Sequence, residues 1–106
     1  MNILTDYDPS GDLIRRAETD EECARLKRAV EAADYVAKKT KSIEFLAASG
    51  NVEERKSVAE SSAAYEEKRN LYFDTLEVYE RMQNERETIQ LRIDVWRSIN
   101  ANRRHG

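Results

Sequence analysis

Residues 63–102 read AAYEEKRNLYFDTLEVYERMQNERETIQLRIDVWRSINAN, and no glycine or proline interrupts them. At 1.5 Å per residue, one helix over this stretch is a rod of about 60 Å. Its apolar seam is Tyr65, Tyr72, Leu76, Tyr79, Met82, Ile89, Ile93 and Trp96, spaced by threes and fours in a pattern close to a heptad. Such a seam meets a facing helix, so Tyr72, Leu76, Tyr79, Ile89, Ile93 and Trp96 form the expected core. Arg86 interrupts the row. A lone cation there specifies register or sits beside a carboxylate such as Glu85 or Glu87.

Upstream, TDEE (Thr19–Glu22) has the form of a capping box, with Thr19 as N-cap and Glu22 reaching back. It predicts a helix over about 19–49, closed by Gly50 at the left-handed C′ position. The apolar positions of that helix are Leu26, Val30, Ala33, Val36 or Ala37, Ile43 and Ala47. They are mostly small, which permits close approach but buries little area. NVEE (Asn51–Glu54) repeats the capping logic and predicts a short helix or turn over about 51–60. Ser61 or Ser62 then caps the long helix, expected over about 62–102. Residues 1–18, with DYDPSGD (Asp6–Asp12), read as an arm carrying turn chemistry. Asp6, Asp8, Ser10 and Gly11 imitate the start of a calcium loop, but the twelfth position is Ala17 where that loop needs a bidentate Glu.

The expected fold is all-α: an antiparallel, coiled-coil-like helical hairpin over 19–106 with one long C-terminal helix. Phe73, Leu91, Val95 and Ile99 lie off the main seam. Two helices present only one seam to each other, so these four side chains are expected at an interface between chains, and the protein as a homo-oligomer.

The composition agrees with long solvated helices: 37% of residues are charged, with three glycines and one proline in 106. No apolar run approaches the ~20 residues that span a bilayer, so no membrane partner is expected. Cys23 is the only cysteine, which suits a reducing compartment and leaves no intrachain disulfide or cysteine metal cluster. Met1–Ser10 lacks the basic and apolar regions of a secretory leader, and the expected setting is cytoplasmic. Catalysis lacks parts. His105 is alone near the end of the chain, no glycine-rich phosphate loop occurs, and the paired glutamates have no histidine at i+3. No enzyme activity, cofactor or metal is expected.

Charge is unevenly spread about a net −3. Two basic zones, Lys38/Lys39/Lys41 and Arg92/Arg97/Arg103/Arg104, lie in otherwise acidic surroundings. Cations neutralise phosphates and aromatic rings stack on bases, so these residues are candidates for a sequence-neutral grip on a single strand. Helical arc places Trp96 on the seam and turns Arg92 and Arg97 toward the surface.

The succession KTKSIEFLAASGN (Lys39–Asn51), a short polar link, then LYFDTLEVYERM (Leu71–Met82) and RIDVWRS (Arg92–Ser98) resembles UvsY-type recombination mediators of tailed bacteriophages. The resemblance covers about residues 35–100. It rests on a basic-aromatic helix end running into a Ser-Gly turn, then Tyr72, Leu76 and Tyr79, then Ile89, Ile93, Trp96 and Arg97. It implies a homo-oligomer in a host cytoplasm that binds single-stranded DNA and helps load a RecA-like recombinase in place of a single-strand-binding protein. Lys39 and Lys41 map onto that family's DNA-contacting positions. NVEERKSVAESS (Asn51–Ser62) stands where the family has a longer insertion. The rival expectation is a small helical protein-interaction module, an inhibitor or scaffold of a host complex, with no nucleic-acid binding.

Overall fold

The computed structural model describes residues 7–105, with side chains described through residue 103. The element order is α1 (Pro9–Ala47), α2 (Val52–Ser61) and α3 (Ala63–His105), with no strand among the described residues.

α1 begins ten residues earlier than the Thr19 cap predicts. The Asp8 carboxylate accepts the Ser10 N–H at 2.9 Å, which makes Asp8 the cap and Pro9 the first helical residue. Proline suits that position because its missing N–H would be unpaired there anyway and its φ is already helical. Residues 9–18, read as part of an arm, are therefore the first turns of α1. Thr19 is a helix-interior residue only 1% exposed. Its hydroxyl donates to the carbonyls of Arg15 and Arg16 at 3.0 and 3.1 Å, so the capping box does not form.

The far end of α1 agrees closely with expectation. The helix stops at Ala47, and Gly50 holds φ +110°, a left-handed conformation that L side chains rarely adopt. Asn51 caps α2 by accepting the Glu54 N–H at 2.9 Å. Ser62 separates α2 from α3. Its hydroxyl donates to the Ala59 carbonyl at 3.0 Å and accepts from the Tyr65 N–H at 3.2 Å, closing one helix and opening the next.

The chain divides into two compact units, Met1–Ala24 with Glu80–Gly106, and Arg25–Tyr79. In the first, α1 and α3 run antiparallel, as three cross-helix ties require. Arg92 pairs with Asp12, Arg15 with Glu85, and Arg86 with Asp20. Ile89 and Ile93 are each 2% exposed and Met82 is also buried. Each such side chain stabilises the fold by about 1.5–3 kcal/mol. In the second unit the buried hydrophobic residues are Ala33, Ala37 and Ala59. Alanine buries little, but it lets helix backbones come close. Here Tyr72, Leu76 and Tyr79, placed in the core by the spacing, are half-buried.

Arg86 answers the break in the seam. Its guanidinium is directed not at Glu85 or Glu87 but at α1. One terminal nitrogen donates to the Arg16 carbonyl at 3.0 Å and the Thr19 hydroxyl at 2.9 Å. The other donates to the Asp20 carboxylate. The cation thus fixes the register of the two helices through a buried hydroxyl. A carboxylate 66 residues away in sequence gave no local sign of it.

Candidate interaction surfaces

The lysine zone lies at the end of α1, in the second unit. Lys38 is exposed and pairs with Asp34 one turn earlier at 2.8 Å, an acid-before-base spacing that favours the helix. The hydrogen bond to Asp34 raises the Lys38 pKa. Lys41 lies 3.4 Å from Glu60 of α2 and 5.6 Å from the centre of the Tyr65 ring. Lys39 is exposed and makes no ion pair among the described residues. Two of the three candidate phosphate ligands therefore already face carboxylates.

The arginine zone belongs to the first unit, and its leading member is engaged within the chain. Arg92, expected at the surface within reach of a phosphate backbone or an acidic neighbour, grips Asp12 in a fork, Nε to Oδ2 at 2.8 Å and Nη2 to Oδ1 at 2.9 Å. Tyr7 donates its hydroxyl to the same carboxylate. The Arg92 hydrogen bond, aided by that of Tyr7, holds the Asp12 pKa down to about 2. Arg92 is correspondingly raised by Asp12. Partial burial and the adjacent Asp12 push the Tyr7 hydroxyl up. Beside this cluster Arg15 lowers the Glu85 carboxyl by hydrogen bonding it. Arg97 and Arg103 are exposed and without an ion pair among the described residues. The side chain of Arg104 lies outside the described residues, as does that of His105.

Trp96 is half-buried and, with Arg97, Asn100 and Ala101, lines a shallow hollow of about 240 Å³. It packs less completely than Ile89 and Ile93, one to two turns earlier on the same seam. Of the four off-seam residues, Leu91 is 64% exposed and Phe73 is exposed, whereas Val95 and Ile99 are half-buried. Phe73 has the Tyr72 ring at 5.3 Å and the Arg69 guanidinium over its face at 5.4 Å.

One surface feature escaped the sequence reading. Between the last turns of α1 and the length of α2 runs a groove of about 540 Å³, floored by Phe45, Leu46, Val52 and Ala59. Its polar lining is Lys41, Ser42 and Lys56, with no carboxylate among the lining residues. Leu46 is 75% exposed and Val52 also stands open to solvent. The signal was present in LAASGNV (Leu46–Val52): two large aliphatic residues bracket the turn, off the small-residue face of α1.

No group of three or more His, Cys, Asp or Glu side chains able to hold a metal ion occurs among the described residues. Cys23 is a free, half-buried thiol. No described helix is long and apolar enough to cross a membrane. No protein-family model matches the sequence, and neither a curated protein nor a solved structure shows significant similarity to it.

Proposed function

We propose that this chain is a non-catalytic helical module that works by binding other polypeptides, a second copy of itself among them. The observation that carries this reading is where the apolar side chains stand. Among the described residues six hydrophobic side chains are buried, three of them alanine, while twelve large ones are exposed. Scattered exposed leucines need no explanation, but clusters do. Leu46 and Val52 share one groove. Leu91, exposed and across α3 from Ile89 and Ile93, heads a strip continued at i+4 and i+8 by the half-buried Val95 and Ile99, which turns back toward the seam as it goes.

Self-association is tested by light scattering at micromolar concentration. A mass above the 12.3 kDa of one chain is the expected result. Val95→Glu, which puts an unpaired charge into the strip at a cost of several kcal/mol, should return the protein to a monomer of unchanged helicity. A monomeric parent with its helicity intact would sink self-association.

A second reading, a single-stranded-DNA-binding recombination accessory of the UvsY type that helps load a RecA-like recombinase, draws support from the lysine zone. Lys39 makes no ion pair among the described residues, and the carboxylates facing Lys38 and Lys41 hold them only through exposed ion pairs, which are weak and easily exchanged. It ranks second because Asp12 occupies the Arg92 fork and, of the candidate cations, Lys39, Arg97 and Arg103 are those without an ion pair among the described residues. Titration with oligo-dT separates the two. Binding that weakens steeply with salt, with a slope falling by about 0.7 for each lysine removed, would promote the DNA reading over the protein-binding one.

A further inference from the structure

We infer that the groove between α1 and α2 is a docking site for an acidic amphipathic helix of another protein. The inference rests on the protein-binding reading above and names the partner's chemistry. The floor is apolar, made by Phe45, Leu46, Val52 and Ala59, and the flanking cations are Lys41 and Lys56. Lys56 makes no ion pair among the described residues. Lys41 lies over the Tyr65 ring at 5.6 Å and 3.4 Å from Glu60, an exposed ion pair in which an incoming carboxylate can take the place of Glu60. The lining supplies two positive charges and no negative one, so a partner gains by carrying carboxylates beside its apolar anchors.

The form of the occupant follows from the walls. The floor joins the end of one helix to the face of another, with no strand edge among the described residues to extend, so the arrangement is a helix-in-groove. A volume of about 540 Å³ takes a few aliphatic or aromatic side chains at i, i+3 or i+4, and i+7. The groove is also held open. Gly50 in its left-handed conformation and the Asn51 cap fix the turn between the two helices, so little ordering accompanies binding. A nucleic acid fits less well. Phosphates could reach the two lysines, but an aliphatic floor with one aromatic ring gives bases little to stack on.

The test uses the full chain and three fluorescent probes. One is a model helix with leucines at i, i+4 and i+7 flanked by glutamates, one is its counterpart flanked by lysines, and one is oligo-dT. The glutamate helix should bind saturably, shift the backbone amide resonances of residues 41–59, and outcompete the lysine helix by ~10-fold or more. Lys41→Glu with Lys56→Glu should reverse that preference. Leu46→Glu should lower affinity by at least ~10-fold with unchanged circular dichroism, since Leu46 is largely solvated in the free chain. Lys56→Glu alone, an exposed change, gives the same direction independently. Equal binding of both helices, affinity that survives Leu46→Glu, a preference for oligo-dT at these resonances, or no saturable binding each overturns the proposal. So does loss of peptide binding as protein concentration rises, which would assign the groove to a second copy. If the groove proposal fails while light scattering reports an oligomer, the broader protein-binding reading stands. If both fail, that reading falls too.

Discussion

Thr19→Val and Arg86→Met, made singly and together, measure how far one half-buried cation holds α1 against α3. Thr19→Val keeps the shape of a side chain that is 1% exposed but removes the oxygen that accepts from Arg86 at 2.9 Å. Hydrogen bonds to charged groups contribute about 1.5–3 kcal/mol. The lower end applies here because the same Arg86 nitrogen keeps the Arg16 carbonyl at 3.0 Å. Arg86→Met keeps the apolar stem and removes all three bonds. The loss should stop at about 2 kcal/mol, well short of the 3–5 typical when a buried ion loses its partner. Asp20 is 67% exposed and rehydrates, and the Thr19 hydroxyl still donates within its own helix. The shared bond is lost in both single variants, so the double variant should be about 1 kcal/mol more stable than additivity requires. Urea denaturation followed by circular dichroism, with the slope constant across the four proteins, reads this directly. Additivity within ~0.4 kcal/mol, or an Arg86→Met protein as stable as the parent, would refute the reasoning. The second outcome would mean that desolvation of the guanidinium cancels its bonds.

Two further perturbations test the termini of α1. The folded-state pKa of Asp12 is depressed to about 2 against about 3.9 unfolded, so its contribution is full above about pH 4 and is lost as pH falls through about 2. Because Arg92 is half-exposed, screening limits the effect to about 1 kcal/mol. Asp12→Asn should therefore lie below the parent in urea midpoint at pH 5 and converge with it near pH 2, whereas a constant gap would refute the assignment. Gly50→Ala meets both φ +110° and a new Cβ 2.5 Å from Glu54 Oε2 and 3.1 Å from Glu54 Cβ, and should destabilise by about 1–2 kcal/mol. Adding Glu54→Ala removes the carboxylate contact but keeps Cβ at 3.1 Å, so it should recover only part of the loss, and full recovery would show that the backbone conformation carries no strain.

What the sequence disclosed follows the range of the forces involved. α3 was legible because nothing breaks residues 63–102 and because Ile89 and Ile93 repeat at helical spacing. The Gly50 stop and the Asn51 cap were legible because each acts within four residues. The start of α1 was misread because DYDPSGD carries two local signals at once, a turn and a proline-led helix N-terminus. Arg15, Thr19 and Asp20 favour the helix through partners on α3, 66–70 residues away. Thr19 satisfies the capping pattern in sequence, yet its hydroxyl belongs to Arg86. The candidate basic surface was thinned in the same way, since the carboxylate that takes Arg92 lies 80 residues upstream. The seam in the second unit was readable as a pattern but not as a depth of burial. Its buried residues are alanines, and spacing alone does not reveal how much of a tyrosine a small-residue neighbourhood covers.

The same distribution links stability to the proposed binding role. Ion pairs tie the first unit at three levels along α1, at Asp12, Arg15 and Asp20, while its buried large apolar side chains are Met82, Ile89 and Ile93. Polar ties of this kind set register and orientation, but exposed pairs add little net free energy. Burial of apolar area does most of the stabilising in any fold, and much of this chain's apolar area remains outside, at Leu46, Val52, Phe73 and Leu91. A partner that covers those side chains binds the folded state and not the unfolded one, so by mass action it stabilises the helices as it binds. Recognition and folding then draw on the same leucines and valines, and a polar substitution at Leu46 or Leu91 should cost the free chain little while costing the complex much.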